Sequence, residues 1–257
     1  EKIIDSITYA QGIQQSILAE EKEIQNVLPD SFIYYQPKDI VSGDFYWISS
    51  VNEKIIIAAV DCTGHGVPGA FMSMIGNSLL NQIVNEKKIT TPADILTQLH
   101  EDIYTSLHQK NKRGQSQDGM DIALCTIDNN TREIEFAGAK NPIYIMKNNM
   151  VEVCKGDMHS IGGSEILKKE KAAGRKFTNH KFPIENGMSI YLFTDGYVDQ
   201  FGGEERKKIG SERFKDLLLA NRLLDMQQQK NVIKETFEQW KGNNSQMDDV
   251  LVFGVRL

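Results

Sequence analysis

The stretch Ile55-Ile56-Ile57-Ala58-Ala59-Val60-Asp61-Cys62-Thr63-Gly64-His65-Gly66-Val67-Pro68-Gly69-Ala70 sets the terms of the fold. It opens with an apolar run that no polar residue interrupts, the pattern of a strand covered on both faces. An aspartate stands at its C-terminal end. Gly64, Gly66, Pro68 and Gly69 then turn the chain into a strongly apolar helix, expected over about residues 70–86 and central to the core.

Upstream of this strand, Ile3, Ile7, Ala10, Ile17, Ile24 and Leu28 recur at three-and-four spacing or its multiples, so residues 2–28 read as one amphipathic helix or two closely joined ones. Gln14 and Glu21 interrupt the stripe. Such a helix either lies on its own domain or, as polar-interrupted stripes do, specifies a two-helix dimer contact. Pro29 and Asp30 end it, and strands are expected at 31–36, 45–50 and 54–60.

Downstream, Thr91, Pro92 and Asp94 suit the N-cap, first and capping-box positions of a helix carrying Leu96, Leu99, Ile103 and Leu107. Residues 109–120 read as a loop. Short antiparallel strands follow at 121–127, 133–137, 142–146 and 151–154, joined by turns such as Asp128-Asn129-Asn130. Gly162-Gly163 and residues 165–175 read as a loop or short charged helix, with further strands at 176–182 and 188–193. Two helices, around Phe214, Leu217 and Leu218 and around Val232, Ile233, Phe237 and Trp240, precede a closing buried strand at 250–255. Helices segregate from runs of strands, which argues for an α+β layered domain with antiparallel sheets and against an alternating βαβ fold.

Composition narrows the function. With 257 residues, 40% hydrophobic and 25% charged, the chain can bury a substantial core in one large domain or two small ones. A net charge of −6 with no basic block excludes nucleic acid as a natural partner. Cys62, Cys125 and Cys154 show no CxxC spacing and read as reduced, cytosolic thiols. No segment has the length of an apolar membrane span or a signal-peptide core. Because the sequence runs from Glu1 directly into helical pattern, it is expected to be a cytoplasmic piece of a longer protein whose remainder can carry a membrane anchor.

Four acids share one feature: Asp44, Asp61, Asp195 and Asp248 each lie where an expected strand starts or stops. Singly, acids in such places are turn and cap formers. Together at one rim they would raise one another's pKa, and hard divalent cations would offset their charge. No histidine-rich or thiol-rich spacing suggests zinc, so oxygen coordination of Mg²⁺ or Mn²⁺ is the alternative. Two such ions roughly 3.5–4 Å apart could share Asp61 and a bridging water able to attack phosphorus.

The strings Asp39-Ile40-Val41-Ser42-Gly43-Asp44-Phe45, Asp61-Cys62-Thr63-Gly64-His65-Gly66-Val67-Pro68-Gly69-Ala70, Phe193-Thr194-Asp195-Gly196 and Asp248-Asp249-Val250 resemble, in order, the motifs of the metal-dependent protein phosphatases, in the bacterial branch typified by the sporulation protein SpoIIE. The resemblance runs from about residue 31 to the C-terminus. It implies a central β-sandwich flanked by helices, an α-β-β-α arrangement spanning 31–257, and hydrolysis of phosphoserine or phosphothreonine by metal-activated water. Carried over position by position, Asp44, Asp61, the Cys62 backbone carbonyl, Asp195 and Asp248 would hold two Mg²⁺ or Mn²⁺ ions, Asp61 bridging. Asp118 or Asp121, of which Asp118 is the choice, falls where the family can supply a third, weaker site. Asp249 would support these ligands as a hydrogen-bond acceptor.

Departures from the family pattern also count. The animal members place a histidine two residues beyond the bridging aspartate, where this chain has Thr63, and its histidine is His65. The phosphate-gripping arginine of the animal enzymes is absent, leaving Lys38 and His65 as the phosphate-contact candidates. The resemblance further implies that residues 1–30 are a regulatory linker that joins an upstream sensor module or dimerises the protein. The substrate would be a phosphoprotein, the family branch often acting on a phosphoserine anti-sigma-factor antagonist. Two rivals stand beside this reading: a two-metal phosphoesterase for small phosphomonoesters, and a non-catalytic member that binds a phosphoprotein. Retention of all four principal aspartates speaks against the latter.

Overall fold

A computed structural model describes residues 2–109, 118–163 and 175–257. Two helices, α1 (Lys2–Ile17) and α2 (Glu21–Val27), lead into strands β1 (Ser31–Gln36), β2 (Phe45–Val51) and β3 (Lys54–Cys62). Helix α3 (Gly66–Asn81) runs on as a π-helical turn over Gln82–Glu86 and is followed by α4 (Pro92–Ser106). Next come β4 (Gly119–Asp128), β5 (Glu133–Ala139), β6 (Ile143–Lys147), β7 (Met150–Cys154), β8 (Ile161–Gly162), β9 (His180–Pro183) and β10 (Ser189–Phe193). A short helix α5 (Asp195–Asp199) and a two-stranded ribbon, β11 (Phe201–Gly202) with β12 (Lys207–Lys208), precede α6 (Gly210–Ala220), α7 (Met226–Lys241) and β13 (Val250–Arg256).

The strands form two antiparallel sheets, ordered β1-β13-β10-β6-β7 and β2-β3-β4-β5-β9, with β8 paired to β4. Alternation along β3 shows how the sheets and helices share the core. Ile55, Ile57 and Ala59 point between the sheets, where they meet Ala123, Ile190, Leu251 and Phe253. Ile56, Ala58, Val60 and Cys62 point the other way, toward Met72, Leu80, Leu96 and Leu99 of α3 and α4. The uninterrupted apolar run is therefore the mark of a strand sandwiched between a sheet and a helical layer. On the far side, Phe32, Tyr191, Phe193 and Val252 pack against Phe214, Ile233 and Phe237 of α6 and α7. The result is the α-β-β-α layering expected from the sequence.

Local departures have tertiary causes. Helix α3 begins at Gly66 rather than near 70, because Gly64 and Gly66 take positive φ values of 83° and 65° and Pro68 sits in the first turn, where its missing N–H breaks no bond. The capping box at α4 does not form. Thr91 is the N-cap but makes no side-chain cap, and the Ala93 amide donates instead to Asn179 Oδ1 at 3.4 Å. The strand expected at 176–182 is confined to His180–Pro183, since the Thr178 amide and hydroxyl are drawn to the Asp157 carboxylate at 2.7 and 3.0 Å. Of the loop read at 109–120, residues 110–117 lie outside the described residues, as do residues 164–174 of the charged segment. Among the described residues, no helix is long and apolar enough to cross a membrane.

Ile57 is fully buried between the sheets. Replacing it with alanine is expected to lower the unfolding free energy by roughly 2–5 kcal/mol. In urea melts this appears as a lower midpoint at unchanged slope. Ile3→Ala, on the open side of α1, should shift stability by less than about 0.5 kcal/mol.

Candidate metal centre at the rim of the sheets

Pairing of β1 with β13 and of β13 with β10 brings the loop before β2, the end of β10 and the start of β13 to one edge of the first sheet. The end of β3 arrives at the same edge from the second sheet. Asp44, Asp61, Asp195 and Asp248 ride on these four ends, and the structure brings them together. Asp44 lies deepest, 3% exposed, Asp61 is half-buried, and Asp195 and Asp248 open toward solvent.

Burial and mutual repulsion govern their titration. Burial first, and then the facing Asp61, push the Asp44 carboxyl well above the usual carboxylate range. Burial likewise drives Asp61 upward, followed by the charges of Asp195, Asp121 and Asp248. Lost hydration, Asp199 and Asp248 raise Asp195 in the same direction. Hydrogen bonding between Asp44 and Asp61, and between Asp61 and Asp195, counteracts only part of this. Shared protons between neighbouring carboxyls relieve a metal-free rim in the way a cation otherwise would.

A frame of neutral groups holds the acids in place. Asp249, 2% exposed, spends both oxygens on backbone, accepting from the Lys38 amide and the Gly43 amide at 2.8 Å each. The buried Thr194 hydroxyl bonds the Asp44 carboxylate, and its oxygen accepts from the Leu251 amide at 3.1 Å. Ser42 Oγ accepts from the Asp44 amide at 3.0 Å. Backbone crowding is tight here. A Cβ on Gly43 would fall 2.5 Å from the Gly64 carbonyl oxygen, and one on Gly69 would strike the same oxygen.

The remaining residues singled out from the sequence take varied places. The Cys62 carbonyl faces Gly43, while its thiol is buried. His65 is exposed, with Nδ1 2.6 Å from Asp39 Oδ2. Lys38 meets the site through its backbone amide. The Asp118 carbonyl accepts from Gln109 Nε2 at 2.7 Å, whereas Asp121 is the strand partner of Asp61 and faces both Asp61 and Asp195. Sequence reading did not single out Thr194, Ser42 or Gln14 for the site. The two hydroxyls lay inside the quoted motifs, next to the acids they support, and that adjacency was the available signal.

The donor set fits hard divalent cations. Asp44 Oδ2 is buried without a hydrogen-bond partner, an arrangement that costs free energy unless a cation or proton meets it. Among the described residues no three acidic, histidine or cysteine side chains form a ready cage around a single point. Mg²⁺ and Mn²⁺ ask for less than that, since Mg²⁺ retains several waters and takes only one or two carboxylates. A row of facing oxygens meets this demand, and among the described residues a thiol or imidazole set for a softer metal is lacking.

Comparison with known proteins gives the family and the fold. Residues 52–257 match the stage II sporulation protein E (SpoIIE) family. The SiaA-PP2C domain of Pseudomonas aeruginosa is 31% identical, with a TM-score of 0.88, the match covering 100% of this chain and 97% of that one. The PP2C phosphatase domain of SpoIIE from Bacillus subtilis, with a fragment of its regulatory domain, is 16% identical at a TM-score of 0.71, covering 89% of this chain and 63% of that one. The RsbU and RsbW domains of a Mycobacterium tuberculosis protein are 17% identical at a TM-score of 0.66, with 89% and 60% covered. These last two likenesses show the fold. No curated protein matches the sequence significantly.

A carboxyl whose pKa is higher folded than unfolded weakens the metal-free fold where both forms are ionised. That penalty shrinks as pH falls through the folded pKa and is gone below the unfolded one. From these groups, the metal-free protein should gain thermal stability as pH is lowered from neutrality toward the ordinary carboxylate range, and saturating Mn²⁺ should flatten the trend. Asp44→Asn should raise the metal-free melting temperature, by roughly 2–4 °C for each kcal/mol relieved. The same variant should lose much of the stabilisation by Mn²⁺; melts across pH with and without the ion test both.

Proposed function

The chain belongs to the stage II sporulation protein E family of metal-dependent serine/threonine phosphatases, and we propose that its reaction is carried by the rim where Asp44, Asp61, Asp195 and Asp248 face one another. The observation that supports this most is the unpartnered Asp44 Oδ2 buried within a group of like charges. In this reading Asp61, Asp44, the Cys62 carbonyl, Asp195 and Asp248 would hold two Mg²⁺ or Mn²⁺ ions. A third, weaker ion would use Asp118 or, from its place beside Asp61, Asp121.

Bound there, such cations supply acidity toward phosphoryl oxygen and toward water. Everything else falls to the chain. Asp249 ties the Lys38–Gly43 loop to the start of β13, so that Asp44 keeps its station when charge at the rim changes. Thr194 orients the Asp44 carboxylate, and His65 and Lys38 remain candidates for contact with substrate phosphate. The substrate class we assign is a phosphoserine or phosphothreonine in a partner protein, with anti-sigma-factor antagonists the first to test. Residues 31–257 form the phosphatase domain, working in the cytoplasm, where free thiols such as Cys62, Cys125 and Cys154 stay reduced.

Residues 1–30 serve as the regulatory linker to an upstream sensor module and as a homodimer contact. Helix α1 meets the domain through a polar side chain: Gln14, 4% exposed, donates to the Ser42 carbonyl at 2.6 Å and Ser73 Oγ at 2.8 Å, and accepts from the Ser42 amide at 3.0 Å. Ser42 in turn holds Asp44, so the linker is hydrogen-bonded to the metal loop. Ile3, Ile13 and Ile17 of the same helix stay exposed, an apolar stripe suited to a second copy.

Hydrolysis of p-nitrophenyl phosphate with Mn²⁺ should stop on chelation. Asp61→Asn and Asp195→Asn should each lose more than the roughly 10–100-fold typical of a supporting residue, the range expected for Asp249→Asn. Unchanged turnover in both ligand variants would sink the assignment. In sedimentation experiments the protein should dimerise with concentration, and Ile13→Glu combined with Ile17→Glu should shift it to monomer, with a melting temperature that no longer depends on protein concentration.

A further inference from the structure

The strand register places a lysine in the same row as the rim carboxylates. Asp61 on β3 pairs with Asp121 on β4, and Ile122 pairs with Ala139 on β5. Lys140, the residue after Ala139, therefore comes alongside Asp121. Neighbouring strands lie about 4.7–4.9 Å apart, so the row from Asp61 to Lys140 is short enough for a lysine side chain to bridge much of it. Lys140 Nζ lies 3.8 Å from Asp121 Oδ2, and its side chain is 42% exposed.

Its backbone is unusual. Lys140 has φ of 60°, the left-handed region that glycine or asparagine enters at less cost. The surroundings hold it there: its amide donates to the Asp157 carbonyl at 2.7 Å, and the Asn141 amide donates to the Ala139 carbonyl at 2.7 Å. Gly138 and Gly156 meet so closely that a Cβ on Gly156 would lie 2.7 Å from the Gly138 carbonyl carbon. The turn needs small residues at Gly138 and Gly156, yet it carries a long cation at its tip. Strain kept at such a place points to a use for the side chain.

That use follows from charge. A phosphoryl monoester brings up to two negative charges to a rim already lined by Asp44, Asp61, Asp121, Asp195 and Asp248, so a cation beside it lowers the cost of entry. His65 is turned to Asp39, whereas Lys140 already contacts a rim carboxylate. We propose that Lys140 binds the substrate, its ammonium moving from Asp121 to a non-bridging phosphoryl oxygen as the phosphomonoester enters. This rests on the rim being the reaction centre.

The test is steady-state hydrolysis of p-nitrophenyl phosphate at saturating Mn²⁺ by the full 257-residue chain, with inorganic phosphate as competitive inhibitor. Lys140→Met should raise KM and the phosphate inhibition constant together, by about 10-fold or more, as expected for loss of a charge-assisted hydrogen bond. Lys140→Arg should restore most of both. Lys140→Gly should show the kinetics of the methionine variant while melting higher than the parent, because the left-handed turn is relaxed. Half-saturation by Mn²⁺ should not rise in any of these variants, since each removes or keeps a charge that opposes the ion. Unaltered KM and phosphate inhibition in the methionine and glycine variants would overturn the inference. So would losses that track weakened Mn²⁺ binding, which would make Lys140 a partner of Asp121 alone. Full turnover in Asp61→Asn would remove the rim itself, and this inference with it.

Discussion

Like charges gathered in a partly dry place are the constraint around which this structure is arranged. Asp44 and Asp61 stand where burial and mutual repulsion both oppose ionisation. Such a group is stable only if protons, hydrogen bonds or cations compensate it. The frame supplies some of that compensation through Thr194 and through carboxyl-to-carboxyl bonds. The remainder is left open at Asp44 Oδ2, which costs free energy unless a proton or a cation meets it.

Rigidity around the rim comes from groups that carry no reaction themselves. Asp249 joins the Lys38–Gly43 loop to β13 across more than 200 residues of sequence, with both oxygens engaged. Gly43 and Gly69 let two backbone segments approach the Gly64 carbonyl more closely than any side chain would permit, while Gly64 itself supplies the positive φ of the turn. Behind them, the apolar layer between the sheets fixes the relative height of the strand ends, so carboxylates from both sheets share one level. The polar attachment of α1 through Gln14 adds a feature of a different kind. Hydrogen bonds to Ser42 and Ser73 are directional, so they fix the orientation of the helix against the Asp44 loop.

Much of this was legible in one dimension. The apolar run at 55–60 announced a strand covered on both faces, and its alternate residues do divide between the inter-sheet layer and the helical layer. Glycine and proline spacing after Asp61 announced the turn into α3. The order of four short motifs carried the family and the principal acids. Where the reading failed, distant partners had intervened: Asn179 serves the start of α4 in place of a capping box, and Asp157 draws Thr178 out of a strand. Helix α5 was missed because five residues are too few to show a period.

From sequence alone, then, came the layers, the strand ends that bear aspartate, and the chemistry those aspartates suit, because each depends on short-range pattern and residue type. Tertiary structure alone decided which acids face one another, that Asp121 sits beside Asp61, that Gln14 reaches the Asp44 loop, and that Lys140 is bent toward the rim. These depend on strand register and on contacts between segments far apart in the chain. A local pattern specifies which face a side chain takes but not which residue it will meet there.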